Sequence, residues 1–341
     1  MKIGKVSQTV LKRSILKTMR TRREEVLFSP SVEEMCTAVQ IKETECAVVT
    51  TATVNGNAKC IGAFAVARAV NDLATRGAQP IGVSVQITLP PFAYESRLKA
   101  MMEYMEELCG QLQIQITCAK AEVSVAVSQA LVYVTAVGQT EGGRLWQSCH
   151  AKPEQDIVLI GDIGLEGMLR VAKERTQELE ERFIPAFMRQ IMAGERDLIK
   201  VAEIKTALEY EVSAIQQIGE GGILAALWDI AEASKVGLEV KLGAMSIRQE
   251  TVEVCEHCHL NPYQLTSAGS ILVVTPCGEE LVKRLTEDGA RAARLGRTTA
   301  ENERVISGGA EKRFLDRPQP DELMLWWERE MNTCPDCERK E

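Results

Sequence analysis

The chain has no apolar run approaching the ~20 residues needed to cross a bilayer, and its first residues lack the apolar core of a secretion signal. The expectation is a cytoplasmic protein with no membrane contact. It also lacks a positive charge balance. A formal net charge of −8 argues against a general nucleic-acid binder. The basic run Lys12, Arg13, Lys17, Arg20, Arg22 and Arg23 reads as a solvated helix face. No internal repeat or low-complexity tract is present. A disulfide framework is missing too: the eleven cysteines are odd in number and no export signal accompanies them. Cys36, Cys46, Cys60, Cys109, Cys118, Cys149 and Cys277 lie singly among apolar or small residues and read as small core hydrophobes.

With 341 residues, the chain is long enough that two domains are expected rather than one. Ser7 is placed to cap a helix running to about Met19, with Leu11, Ile15 and Met19 on one face. Cys46 to Thr51 reads as a short buried strand. From Gly62 to Pro90 a helix, a turn and a strand follow each other. Ala63, Val66, Ala67, Val70, Leu73 and Ala74 have helical spacing, Gly77 supplies the stop, and Ile81, Val83, Val85, Ile87 and Leu89 alternate. A second helix spans Glu95 to Cys109, and strands follow at Ile114–Ile116 and Leu131–Gly138, giving βαβαββ. Gly142 to Pro153 has turn chemistry and marks a boundary. Beyond it come a buried strand (Asp156–Ile160) and the glycine-punctuated run GDIGLEG (161–167) opening a helix. A long charged helical region from Arg170 to Tyr210 is next, then a strand (Val212–Gln216), a turn at Gly221-Gly222, an amphipathic helix and further αβ units.

Asn71 and Asp72 interrupt the helix that begins at Gly62 about one turn before its end. A carboxylate there gains nothing from the helix dipole. Its placement points either to a metal or phosphate ligand or to a solvated residue at a helix end. The string V-N-D-L-A-x-x-G-A-x-P resembles the aminoimidazole ribonucleotide (AIR) synthase superfamily. That group includes thiamine-phosphate kinase, selenophosphate synthetase and the hydrogenase maturation protein HypE. The opening KIGKVSQTVLKRSIL, TRREEVL, AKPEQDIVLIGDIGLEG (151–167), EGGILAALWDIAEAS (220–234), IRQETVEVCE (247–256), NPYQLTSAGSILVVTP (261–276) and DEL (321–323) look like its HypE-related, AIR synthase-related branch.

The resemblance implies a two-domain AIR synthase-like fold, α+β and α/β. Its N-terminal mixed α+β domain (1–145) holds the nucleotide site and pairs with a copy of itself in a homodimer. Its C-terminal α/β domain covers 151–323, and a polar tail (324–341) carries CPDC. It further implies ATP and magnesium as cofactors, ATP-dependent synthase or dehydratase-like chemistry, and a maturation-protein partner. The implied nucleotide-binding residues are Lys59, Asn71, Asp72, Lys120, Glu122, Glu220, Gly221 and Gly222, with Asp72 and Glu122 as residual magnesium ligands.

Four positions where relatives carry acidic residues hold Met35, Ala52, Cys60 and Gln217, none of which replaces a hard oxygen ligand on equal terms. One interpretation is that Lys120 substitutes electrostatically for a lost metal while phosphate still binds. The other is a non-catalytic scaffold or regulatory paralogue that keeps the dimeric fold. The glycines of GDIGLEG and EGG can offer amides to an anion at helix starts.

Two CxxC pairs remain. Cys255, Cys258 and His259 share a face if IRQETVEVCEHCH is helical throughout, which would suit zinc. Otherwise Cys255 is a core residue of an ordinary helix. The run CPDCERKE lacks the closing motif of HypE, whose terminal cysteine carries the carbamoyl group, so that role does not pass to Cys337 by resemblance. The Cys334–Cys337 pair reads equally as a redox pair or as part of a disordered tail.

Overall fold

The computed structural model describes residues 4–5, 7–27, 39–140, 142–309 and 311–332. The expectations placed on Met35 and on the CPDC tail lie outside those residues. Contacts divide the chain into two units, Met1–Leu145 and Trp146–Glu341. None of the described helices is long and apolar enough to cross a membrane.

In the first unit the elements run β1 (Gly4–Lys5), α1 (Gln8–Leu11), β2 (Ala47–Gly56), α2 (Ile61–Thr75), β3 (Ala78–Leu89), α3 (Glu95–Leu112), β4 (Gln115–Val123) and β5 (Ala130–Thr140). From β2 onward this is the βαβαββ order read from the sequence. Ser7 does cap α1, accepting the Val10 N–H at 3.4 Å. The helix then widens to a π-turn over Lys12–Leu16 and stops short of the expected Met19.

The five strands lie in the order β1-β4-β3-β5-β2. The pair β3–β4 is parallel, while β3–β5 and β2–β5 are antiparallel. Helix α2 packs on β2, β5 and β3, and α3 packs on α2. The two helices approach so closely that a Cβ on Gly62 would collide with Met105 Sδ. Ala52, Val54, Val83, Val85, Ile87, Val132, Val134 and Ala136 are buried. Thr51, Thr53, Gln86, Lys120, Glu122 and Tyr133, the alternate residues, are exposed. This is the period-two pattern of a sheet with one covered face and one open face.

The second unit begins with β6 (Asp156–Ile160) and α4 (Leu165–Glu174). The expected long helical region is a series of short helices: α5 (Thr176–Arg182), α6 (Pro185–Ala193), a 3-10 turn (Gly194–Leu198) and α7 (Val201–Leu208). Pro185 forces the break. It cannot donate an N–H, it suits the first helical position, and it keeps Ile184 extended at ψ 151°. The remaining elements are β7 (Ala214–Gln217), α8 (Gly222–Ser234), β8 (Gly237–Lys241), α9 (Gln249–His257), β9 (Ile271–Thr275), α10 (Gly278–Glu287), β10 (Ala292–Thr299), β11 (Arg304–Gly308), β12 (Glu311–Phe314) and α11 (Glu322–Asn332).

The seven strands are ordered β12-β11-β8-β10-β6-β9-β7. Among the described residues of this sheet, only the β8–β11 ladder is parallel. The α/β character of this unit therefore lies in the alternation along the chain and not in strand direction. All of β9 and all of β6 but Asp156 are buried, so the central strands are covered on both faces.

Candidate functional site

In the first unit, α2 carries Asn71 and Asp72 over the edge strand β2. Asn71 is fully buried. Asp72 is half-buried, with Thr50 Oγ1 donating to its Oδ2 at 3.5 Å. Thr50 pairs in register with the buried Ala136, which puts Asp72 on the helix-covered side of the sheet. Lys59 is exposed and lies two residues before α2. At 1.5 Å per residue, the eleven residues from Ile61 to Asp72 separate it from that carboxylate by about 16 Å.

Lys120 and Glu122 belong to the other face. Register aligns Thr53, Tyr133, Gln86 and Lys120 in one row across the sheet, and Asn55, Leu131, Thr88 and Glu122 in the next. A third row holds Thr51, Thr135, Ser84 and Cys118. Thr51 and Thr135 hydroxyls bond at 2.9 Å, and Thr88 Oγ1 donates to Glu122 Oε1 at 3.3 Å. Strands β2 and β4 are three ladders apart, about 14 Å at the usual strand spacing.

Asp72 and Glu122, expected to share a magnesium ion, are therefore separated both by the sheet itself and by most of its width. Among the described residues of one chain, these two carboxylates do not share a magnesium site. Lys59 does not join Asp72 either. What the unit does offer is an open face rich in hydroxyls and amides, with one exposed ammonium at Lys120.

In the second unit, neither glycine turn is an empty anion cradle. Every residue of GDIGLEG is buried. Gly164 N donates to Ser267 Oγ at 2.7 Å and Gly167 N to the Thr266 carbonyl at 3.0 Å. Asp162 accepts from Ser246, Arg248 Nε (2.8 Å) and Arg291 Nη1 (3.2 Å), and Arg248 also holds Asp197 at 2.6 Å. Burial pushes the Asp162 carboxyl up, but the Ser246 hydroxyl and the Arg248 guanidinium outweigh it and hold it below the ordinary range. Glu166 accepts from Thr266 Oγ1 at 2.8 Å and from Ala268 N at 3.0 Å, and pairs with buried Arg170 at 3.4 Å.

At EGG, Glu220 is exposed while Gly221 and Gly222 adopt φ of +77° and +65°. The Gly221 amide that could meet a phosphate donates instead to Asp321 Oδ2 at 2.7 Å, and Asp321 Oδ1 accepts from Leu323 N at 2.8 Å. Asp321 thus caps α11 while crossing to the start of α8. Burial raises its carboxyl to about 6 against the two amides that lower it. Gln217 accepts the Gly269 N–H at 3.2 Å. In sequence, DEL (321–323) carried the resemblance while the role of Asp321 went unread. An Asp directly before a helical run was the available signal.

The zinc set is not brought together. Helix α9 ends at His257, Cys258 caps it, and His259 turns into the left-handed region at φ +54°. It therefore leaves the helical face that the i, i+4 spacing required. Cys255 is buried and its thiol is pushed up to about 12, while that of Cys258 is raised to about 11, both mainly by burial. Cys255 is a core thiol, and Cys258 is partly exposed. Among the described residues no group of three or more His, Cys, Asp or Glu side chains is arranged to hold a metal ion.

This pairing of a five-stranded sheet backed by two helices with a mixed seven-stranded unit is that of the AIR synthase-like proteins. Family models for the N-terminal and C-terminal domains of AIR synthase related proteins match residues 33–140 and 152–308. The chain belongs to the AIR synthase related family.

Within that family it is similar to the carbamoyl dehydratase HypE of Rhodobacter capsulatus, 27% identical over 265 residues that cover 73% of this chain and 74% of the relative. The fold matches E. coli HypE with a TM-score of 0.74 at 18% identity, over 92% of this chain and 98% of that one. It matches a HypE crystallised with ATP with a TM-score of 0.70 at 16% identity, over 93% and 96% of the two chains. A HypE–HypF complex matches with a TM-score of 0.62 at 18% identity, over 82% and 92%.

Proposed function

We propose that this chain is a HypE-like hydrogenase maturation factor that binds ATP through its first unit, pairs with a second copy through the open sheet face, and turns ATP over poorly. The observation that carries the reading is the separation of the surviving carboxylates. Asp72 and Glu122 lie on opposite sides of one sheet, and Ala52 and Cys60 stand where the resemblance leads one to expect further acidic residues. Phosphoryl chemistry on ATP needs cations to neutralise developing charge, and within one chain the open face supplies Lys120. The amides at GDIGLEG and EGG are committed to Ser267, Thr266 and Asp321, so nucleotide binding rests on the first unit.

The two halves of the open face fit the homodimer reading. Val49 and Tyr133 expose apolar surface there while hydroxyls surround them. Such a mixed face is suited to burial against its own copy. A HypF-like maturation protein is the partner class that the family suggests, and the cytoplasm is the expected place of action.

A second reading, a scaffold that binds nucleotide without turnover, is favoured by the same missing carboxylates. ATP hydrolysis by the wild type and by Asp72→Ala separates the two. A low rate abolished by the substitution supports a weak enzyme, and equal background rates support the scaffold.

A further inference from the structure

We propose a separate binding site for a small phosphate monoester in the second unit, in the cavity between the β12–α11 connection and the start of α8. The cavity holds about 250 Å³ and its lining includes the exposed Arg313, Phe314, Asp316 and Arg317, together with Asn261 and Gln264. Its size falls below the usual range for nucleotide or drug-sized ligands, about 300–1,000 Å³.

The two guanidiniums set the ligand's charge. Arg248, Arg291, Arg294, Arg297 and Arg304 of the same unit each hold a carboxylate. Arg313 and Arg317 have no ion-pair partner among the described residues, although both line one cavity. A guanidinium offers a planar fork that matches phosphate oxygens.

The lining also supplies an oriented amide. Asn261 Oδ1 accepts from Tyr263 N at 3.1 Å, and its Nδ2 donates to Gln264 Oε1 at 2.8 Å. That bond commits the oxygen of Gln264 and leaves its Nε2 as a donor without a partner among the described residues. Asp316 adds one acceptor, which suits a hydroxyl on the ligand's organic part, and Phe314 adds an exposed apolar wall. Two cationic forks, one amide donor and one acceptor suit a small hydroxylated anion of more than one negative charge, as a phosphate monoester is. The site does not depend on the nucleotide reading, since it lies wholly in the second unit.

Calorimetric titration of the full chain with glycerol 3-phosphate, inorganic phosphate, acetate and glycerol tests this. The expected result is saturable one-to-one binding of glycerol 3-phosphate, weaker binding of inorganic phosphate and none of glycerol. Arg313→Ala and Arg317→Ala each weaken binding about tenfold, the scale of one charge-assisted hydrogen bond. The Arg313→Lys/Arg317→Lys variant recovers part of it, and Lys283→Ala leaves it unchanged. Unaltered circular dichroism melts of these surface variants tie the losses to the cavity. No saturable binding of either phosphate at millimolar concentration overturns the proposal. So does undiminished binding in the double alanine variant, or acetate binding as tightly as glycerol 3-phosphate.

Discussion

The two sheets of the molecule treat their polar residues in opposite ways. In the first unit, strands alternate, and Thr51, Thr53, Gln86, Lys120 and Glu122 stand on an open face. In the second, the central strands are covered on both sides and the polar residues turn inward. There Asp162, Glu166 and Asp321 are buried and saturated by amides, hydroxyls and guanidiniums. The glycine turns that look alike in sequence as anion cradles are, in the second unit, packing devices. A Cβ on Gly222 would stand 2.5 Å from the Tyr263 carbonyl, at a φ that side chains rarely adopt. The difference is why nucleotide binding is proposed for the first unit, while Asp162, Glu166 and Asp321 serve the packing of the second.

The largest effect expected from breaking this contrast is at Glu166. Glu166→Ala takes the carboxylate from buried Arg170, from the Thr266 hydroxyl and from the Ala268 amide. A loss of about 3–5 kcal/mol is expected, as for a broken buried pair, read from denaturant unfolding.

Next comes Asp321, whose carboxyl is raised by burial to about 6 from 3.8. Between those values the folded chain holds a proton that the unfolded chain has released. The contribution is present in full below about pH 4 and is lost as pH rises through about 6. The difference in unfolding free energy between wild type and Asp321→Asn should therefore change by up to about 2–3 kcal/mol across that window. A pH-independent difference would show that Asp321 titrates normally.

The smallest effect on folding is expected on the open face. Thr135→Glu places a carboxylate among Thr51, Ser84 and Tyr133 and should alter the chain's own stability by no more than about 0.5 kcal/mol. On the homodimer reading it should nevertheless halve the molar mass in light scattering. A wild type already monomeric, or a variant still dimeric, breaks the homodimer reading.

Much of the fold was legible because its signals are local. The helical spacing from Ala63 to Ala74, the stop at Gly77 and the alternation from Ile81 to Leu89 became α2 and β3. Family motifs then identified the two-domain architecture. The candidate site was less legible, because motif order along a chain does not say which face of a sheet a residue occupies. The strand parity that separates Asp72 from Glu122 depends on register, including the irregularity between Val83 and Ser84. The zinc reading failed on a helix end: nothing in CEHCH announces that His259 adopts a positive φ. The anion-cradle reading of EGG failed because its partner, Asp321, is a hundred residues away in sequence.

Titration of the purified chain with ATP, in excess magnesium and again in EDTA, tests most directly whether the first unit binds nucleotide without a working metal cage. Weak saturable binding is expected, with a Kd that changes less than about tenfold on removing magnesium, a difference under ~1.4 kcal/mol, and with little hydrolysis. Tight binding that vanishes in EDTA and is accompanied by rapid turnover would contradict the reading.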